Sequence, residues 1–288
     1  MQKTQPRLAE STSVGQVHLT VADLDRSVAF YQDALGLQVL EREAKRASLG
    51  VEPIELLRLE ALPGARRVSR ATGLYHFAVR VPDRISLARW LDHAIKSRIA
   101  IDGASDHYVS EAIYLHDPDG HGIEIYADRP RALWENRLSE MGVLRPLDVN
   151  ALLDQLDGSE PAYRGMPAGT DMGHVHLQVS DIPKTVAFYR DVLGFDLTMG
   201  YGDSAAFFSA GGYHHHIGTN TWHSRGAGPP PDDSLALQSA TIVLASEAER
   251  DAVVARLRAA GHEPLTSDGA IVVEDPSGIK LRLDVAPS

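Results

Sequence analysis

The chain contains one segment twice. Gly15 to Gly36, GQVHLTVADLDRSVAFYQDALG, aligns without a gap on Gly173 to Gly194, GHVHLQVSDIPKTVAFYRDVLG, at an offset of 158 with 13 of 22 positions identical. Self-similarity of this kind restricts the fold to one supersecondary unit used repeatedly. The same offset returns where Asp117-Pro118-Asp119-Gly120 matches Asp275-Pro276-Ser277-Gly278. Each half divides again, into about Gly15–Leu62 and Gly73–Tyr126, then Gly173–Thr221 and Ala236–Val285. The result is four modules of roughly 50 residues each.

The modules share a local grammar. VHLTV and HFAVRV alternate like half-buried strands. Asp23 offers a helix N-cap, and Val28, Phe30, Tyr31, Ala34 and Leu35 fall near one helical face. Gly36 is placed to end that helix in the left-handed conformation. The stretches LQVLERE, PIELLRLEA, EAIYLHDP and GIEIYA read as short strands, with Asp-Pro-Asp-Gly as a hairpin turn. Each module is therefore βαβββ, and the class is α+β. The connector from Pro130 to Ala168 is richer in Pro, Gly and charge, with a short helix expected near Asn150 to Leu156. The N-terminal MQKTQPRLAESTS is polar, lacks the apolar centre of a signal peptide, and reads as a loose tail.

Bulk properties exclude several classes. A formal charge of −11 disfavours a nucleic-acid partner. The absence of cysteine removes disulfides, thiolate nucleophiles and zinc-thiolate sites. No apolar run approaches the ~18 residues of a membrane span, so no membrane role and a cytoplasmic location are expected.

Three residues stand out. His18 and His76 lie on the first strands of modules one and two, and Glu124 lies on the last strand of module two. Two imidazoles and a carboxylate make the facial triad of non-haem Fe(II) enzymes, which leaves metal positions open. The plainer reading is that Glu124, between Ile123 and Ile125, marks the wet face of a sheet.

These modules, with their HLTVADLDRSVAFYQDALGL start and DPDGHGIEIY end, resemble the vicinal oxygen chelate superfamily. That group includes glyoxalase I, bleomycin-resistance proteins, fosfomycin-modifying enzymes and type I extradiol dioxygenases. GLYHFAVRVPDR, GASDHYVSEAIYLHDPDGHGIEIYADRP and SAGGYHHHIGTNTW are most similar to bacterial catechol 2,3-dioxygenase-like two-domain proteins. The resemblance covers about residues 15 to 285. It implies two tandem domains, each pair of modules forming a curved mixed sheet around a cup. Residues 14–130 would form an N-terminal domain with the intact triad, 131–168 a linker, and 169–286 a C-terminal domain with a degenerate one. The second domain keeps His176 at the His18 position. Its LALQSATIVLA strand has no histidine, and Arg282 stands where Glu124 would be.

The resemblance also implies roles. His18, His76 and Glu124 would hold Fe(II), or Mn(II), which uses the same ligands. Tyr114 would bond a substrate oxygen, and His107 would serve in acid–base transfer. The run Tyr213-His214-His215-His216 is similar in place to the acid–base histidine of extradiol enzymes, although it falls in the other half. His214, His215 and His216 would alternatively join His174 or His176 in a second metal site, or stabilise a domain contact. His116 and His121 are expected in solvent, and His93 carries no site signal.

The implied activity is an oxidoreductase of aromatic compound catabolism, cleaving a small aromatic diol with O2 beside its hydroxyls. One alternative is a glyoxalase-like isomerase or lyase holding Zn(II) or Ni(II), with Glu55 or Glu60 as a fourth ligand. Another is a metal-free ligand-binding protein of the bleomycin-resistance kind. Isolated sheet edges favour a homo-oligomer.

Overall fold

A computed structural model describes residues 7–137, 145–159, 162–267 and 269–286. Module one comprises β1 (Ser13–Val21), α1 (Leu24–Phe30), β2 (Gln38–Arg42), β3 (Arg46–Val51) and β4 (Ile54–Ala61). Module two follows with β5 (Gly73–Val81), α2 (Arg84–Lys96), β6 (Gly103–Asp106), β7 (Ser110–His116) and β8 (Gly122–Asp128). The connector holds β9 (Arg145–Pro146) and α3 (Val149–Leu153). Module three is β10 (Asp171–Gln178), α4 (Ile182–Val186), β11 (Asp196–Tyr201), β12 (Ala205–Ser209) and β13 (Ile217–Asn220). Module four is β14 (Leu237–Leu244), α5 (Glu247–Ala259), β15 (Leu265–Ser267), β16 (Ala270–Glu274) and β17 (Lys280–Val285). Four βαβββ units are thus present.

The helices start for one local reason. Asp23, Asp83, Asp181 and Ser246 each accept a backbone N–H three residues on, satisfying a donor that the first turn leaves orphaned. In modules one and three the helix widens into a π-type turn, Tyr31–Leu35 and Ala187–Leu193. Gly36 and Gly194 then end it with φ of 73° and 101°. A Cβ on Gly36 would also lie 2.5 Å from the Cα of Gly165.

The strands form two mixed sheets, and the modules are shared between them in a way that departs from the expectation of contiguous halves. One sheet runs β15-β16-β17-β14-β1-β4-β3-β2, so module one joins module four. The other runs β11-β12-β13-β10-β5-β8-β7-β6-β9, so module two joins module three. Each sheet is centred on two first strands paired antiparallel, β1 with β14 and β5 with β10. The sequence halves are tied across the two sheets instead. Tyr31 donates its hydroxyl to Asp117 at 2.8 Å, and Tyr189 donates to Asp275 at 3.2 Å.

Alternation then decides what each sheet face holds. Phe77, Val79, Ile123, Ile125, Val175 and Leu177 join Val17, Leu19, Leu57 and Leu59 in one continuous buried core spanning both sheets. The intervening residues face the other way, into a cup on each sheet. From residue 8 the N-terminal segment is docked rather than loose: Leu8 is buried and its N–H donates to the Gly194 carbonyl. Residues 1–6 lie outside the described residues. The connector docks as well. Its β9 extends the nine-stranded sheet beyond β6, and Tyr163 donates to the Leu35 carbonyl at 2.7 Å. No described helix is long and apolar enough to cross a membrane.

Candidate metal centre and its cup

The sheet made by modules two and three gathers three ligand-type side chains at its centre. His76 lies on β5, Glu124 on β8 and His174 on β10, all buried. One ligand atom from each falls within 4.8 Å of the other two, the single such group among the described residues. The Nε2 of His76 is 3.1 Å, and that of His174 3.4 Å, from the same oxygen of Glu124. Ligands bonded at about 2.1 Å to one metal, at right angles, lie about 3.0 Å apart, close to these two separations. His76 Nε2 and His174 Nδ1 are buried with no hydrogen-bond partner. Buried polar atoms are seldom left unpaired without a reason, and a metal supplies one for His76. Burial would raise the Glu124 pKa, but the adjoining imidazoles of His174 and His76 hold it well below the usual carboxylate range. Burial pushes His174 down to about 4, leaving its imidazole neutral as ligation requires.

Backbone geometry brings these groups together. Gly122 begins β8, and a Cβ there would sit 2.2 Å from the Tyr75 carbonyl oxygen. Only glycine lets β8 lie this close to β5, two residues before Glu124. Irregularities in the β5–β10 pairing flank His174 and His176, and such bulges re-aim side chains.

His18 is not part of this group. β1 pairs with β14 and β4 in the other sheet, where His18 lies 3.4 Å from Glu60. His174 takes the expected third place because β10, rather than β1, adjoins β5. Glu55 and Glu60, the alternative fourth ligands, also lie on β4 in the eight-stranded sheet. The triad expected within residues 14–130 is therefore drawn from both halves of the chain.

The remaining expected residues surround the same cup. His107 Nε2 lies 2.6 Å from the Tyr114 hydroxyl, and Tyr114 pairs across the strands with Glu124. Burial, then the Glu124 charge, raises the Tyr114 pKa well above 10.0, so it stays a donor. Burial lowers the His107 pKa. His176 sits directly opposite His76, rings 5.1 Å apart, and burial holds it neutral.

The histidine run does not form a separate metal cluster. It lies in the turn before β13 rather than in a strand. His214 Nε2 contacts Asp128 Oδ1 at 2.8 Å, and its Nδ1 contacts His215 Nδ1 at 2.8 Å. His215 packs on His174, ring centroids 4.1 Å apart, and lines the cup. His216 turns away and accepts the Ala210 N–H. Asp128 also accepts from Tyr213 at 2.9 Å and from Arg80 at 3.2 Å. Elsewhere, His121 is buried rather than solvated, contacting the Thr20 carbonyl at 2.9 Å, while His116 is exposed beside Asp102. His93 contacts the Asp33 carbonyl, in keeping with a structural role.

The cup encloses about 510 Å³. Its wall carries Tyr75, Tyr201, Phe207 and Trp222, with Met199 and Val109. Tyr75 and Trp222 meet edge to face at 5.3 Å. A chain with only 6% aromatic residues has concentrated them around one group of ligands.

The comparisons agree with this architecture. Residues 13–125 and 171–283 match the family described as the Glyoxalase/Bleomycin resistance protein/Dioxygenase superfamily. The chain belongs to that superfamily. It is 43% identical over 277 residues to a catechol-2,3-dioxygenase of Bacillus subtilis (strain 168), covering 93% of this chain and 95% of that one. A mouse protein, glyoxalase domain-containing protein 4, is 29% identical over 42% of each chain. Among solved structures, one from Bacillus subtilis superposes with a TM-score of 0.68 at 13% identity, over 99% of this chain and 87% of that one. Glyoxalase I from Zea mays gives a TM-score of 0.58 at 19% identity, over 95% and 92%. Both structural likenesses speak to the fold alone.

Proposed function

We propose that the chain is a metal-dependent extradiol dioxygenase that opens the ring of catechol or a substituted catechol with O2, using His76, Glu124 and His174 as metal ligands. The observation that carries the reading is this ligand set beneath an aromatic cup, with Tyr114, His107 and His215 arranged around it. The 43% identical relative, itself a catechol-2,3-dioxygenase, supports the same class. Fe(II) is the ion we assign, with Mn(II) suited to the same donors. A divalent ion held there supplies Lewis acidity toward a substrate hydroxyl and a route for electrons between substrate and oxygen.

The chain's own groups do the rest. The aromatic wall takes the ring of the substrate and excludes water. Tyr114, kept protonated, donates to a substrate oxygen, and His107 backs that donor at 2.6 Å.

His215 is the proton acceptor, and its tautomer follows from its neighbours. A carboxylate only accepts, so the nitrogen of His214 facing Asp128 carries that ring's proton. Where that is the ring's only proton, its Nδ1 is an acceptor and His215 Nδ1 is the donor. Nε2 of His215 is thereby left bare, ready to take a proton from a substrate hydroxyl.

The cup lining holds one carboxylate, Glu124, so a fourth carboxylate ligand of the glyoxalase type is lacking there. A metal-free binding protein would have no need of two imidazoles and a carboxylate facing one another. Oxygen uptake with catechol after anaerobic loading with Fe(II) tests the proposal. Rapid uptake with a yellow ring-opened product is expected; no uptake by protein that holds iron, across a panel of catechols, would refute it.

A further inference from the structure

The eight-stranded sheet has a cup of its own, enclosing about 750 Å³, and its chemistry is the reverse of the first. The two cups correspond residue by residue. His76 and His174 each stand seven residues ahead of their helix N-caps, Asp83 and Asp181. The same count from Ser246 and Asp23 gives Ser239 and Gln16. Glu124 lies four residues past Gly120, and Arg282 lies four past Gly278. So where one cup has two imidazoles and a carboxylate, the other has an amide, a hydroxyl and a guanidinium. That set cannot hold a cation, but every member donates hydrogen bonds.

The surroundings point the same way. Arg58 stands beside His18 in the paired strands, and Arg46 lies on the next strand. Each guanidinium is steadied by one neighbouring carboxylate. Arg282 Nε bonds Asp284 at 2.8 Å, Arg58 bonds Glu55 through Nε and Nη2 at 3.3 Å, and Arg46 Nη2 bonds Glu60 at 3.3 Å. These contacts engage one edge of each fork; among the described residues no further hydrogen bond engages the other Nη donors of Arg282, Arg58 and Arg46, which line the cup. Lys280 pairs across the strands with Glu274, and Glu60, Glu263 and Asp275 also line the cup, so unengaged Nη donors rather than a net positive charge are what an anion would meet. His18, whose Nε2 lies 3.4 Å from Glu60, lines the same cup.

We propose that this second cup binds a small organic carboxylate through Arg282 and Arg58. Guanidinium forks match the two oxygens of a carboxylate, and the volume exceeds the needs of an inorganic anion. The site is independent of the dioxygenase reading, since binding is read without turnover.

Calorimetry on the iron-loaded full chain, with the six-carbon dicarboxylate adipate as probe, tests it. Adipate is expected to bind once per chain, and Arg282→Gln to weaken it by about ten- to a hundredfold, the loss of a charged hydrogen bond. Arg282→Lys, which keeps the charge but loses the fork and guards against a folding artefact, is expected to weaken binding less than Arg282→Gln does. Oxygen uptake on catechol is expected to be unchanged in both. No heat with adipate, undiminished binding in the Arg58→Gln, Arg282→Gln double variant, or equal binding of inorganic phosphate or neutral 1,6-hexanediol would each overturn the assignment.

Discussion

Asp128 offers no ligand to the metal group, yet it contacts His214, which in turn contacts His215, so the proposed mechanism gives it a part in orienting the base. His215→Ala is expected to lower kcat by about 10²- to 10⁴-fold, the usual worth of a positioned base. His214→Phe keeps the ring volume but breaks the relay, so kcat is expected to fall while bound iron stays stoichiometric. Steady-state oxygen uptake beside iron analysis checks both, and unchanged kcat in His214→Phe would refute the relay. Of the residues the structure gathers in this cup, His76 and Glu124 were legible from module position, His107 from its place before a strand, and Tyr114 from resemblance. His174 was passed over in favour of His18 because both histidines in HVH invite attention and only one pairs with VHLTV. The usable signal was the distance to the N-cap: His76 and His174 share a spacing of seven residues, whereas His18 and His176 stand only five ahead of theirs.

Elements, rather than residues, deliver the ligands to one point. β8 presses so closely on β5 at Gly122 that an added methyl group would meet backbone, which cannot swing aside. Gly122→Ala is therefore expected to displace β8, with Glu124 on it, and to weaken iron binding by about tenfold or more, although it removes no ligand. Iron affinity measured by competition with a chelator checks this; wild-type affinity would show that the close strand approach is unimportant. The elements themselves were largely legible. Period-two alternation, four N-caps and the terminal glycines are local signals, and each predicted one arises where local chemistry dictates. The π-type turns at Tyr31–Leu35 and Ala187–Leu193 were not, because the same apolar spacing also fits an unbroken α-helix.

The whole molecule interleaves its halves, and that arrangement was hidden from the sequence. Nothing in a strand of alternating residues says which other first strand shares its edge. Two antiparallel central pairs, β1 with β14 and β5 with β10, make that choice, and with it the composition of both cups.

The burial of so many titratable groups in one molecule also sets a pH dependence. Burial lowers His174 to about 4 and His216 to about 3, and lowers His176 and His215 well below 6.5. The unfolded chain takes up these protons near 6.5 and the folded chain only at lower pH. Stability present above pH 6.5 is thus lost as pH falls from there toward 4 and 3. Asp275 works in the opposite sense. Burial raises it to about 6, so its contribution is complete below about 3.8 and fades as pH rises through 6. With four imidazoles against one carboxyl, the metal-free protein is expected to melt at progressively lower temperature from pH 7 to pH 4.5. A flat or rising melting temperature over that range would contradict the buried, neutral state of the histidines.

The proposed metal centre belongs to modules two and three. Bound iron and oxygen uptake on catechol, measured in His174→Ala and His18→Ala, decide between this placement and one on β1. His174→Ala is expected to lose stoichiometric iron and turnover, while His18→Ala, whose side chain lies in the other sheet, is expected to keep both. Loss of iron and activity in His18→Ala, with both retained in His174→Ala, would contradict it.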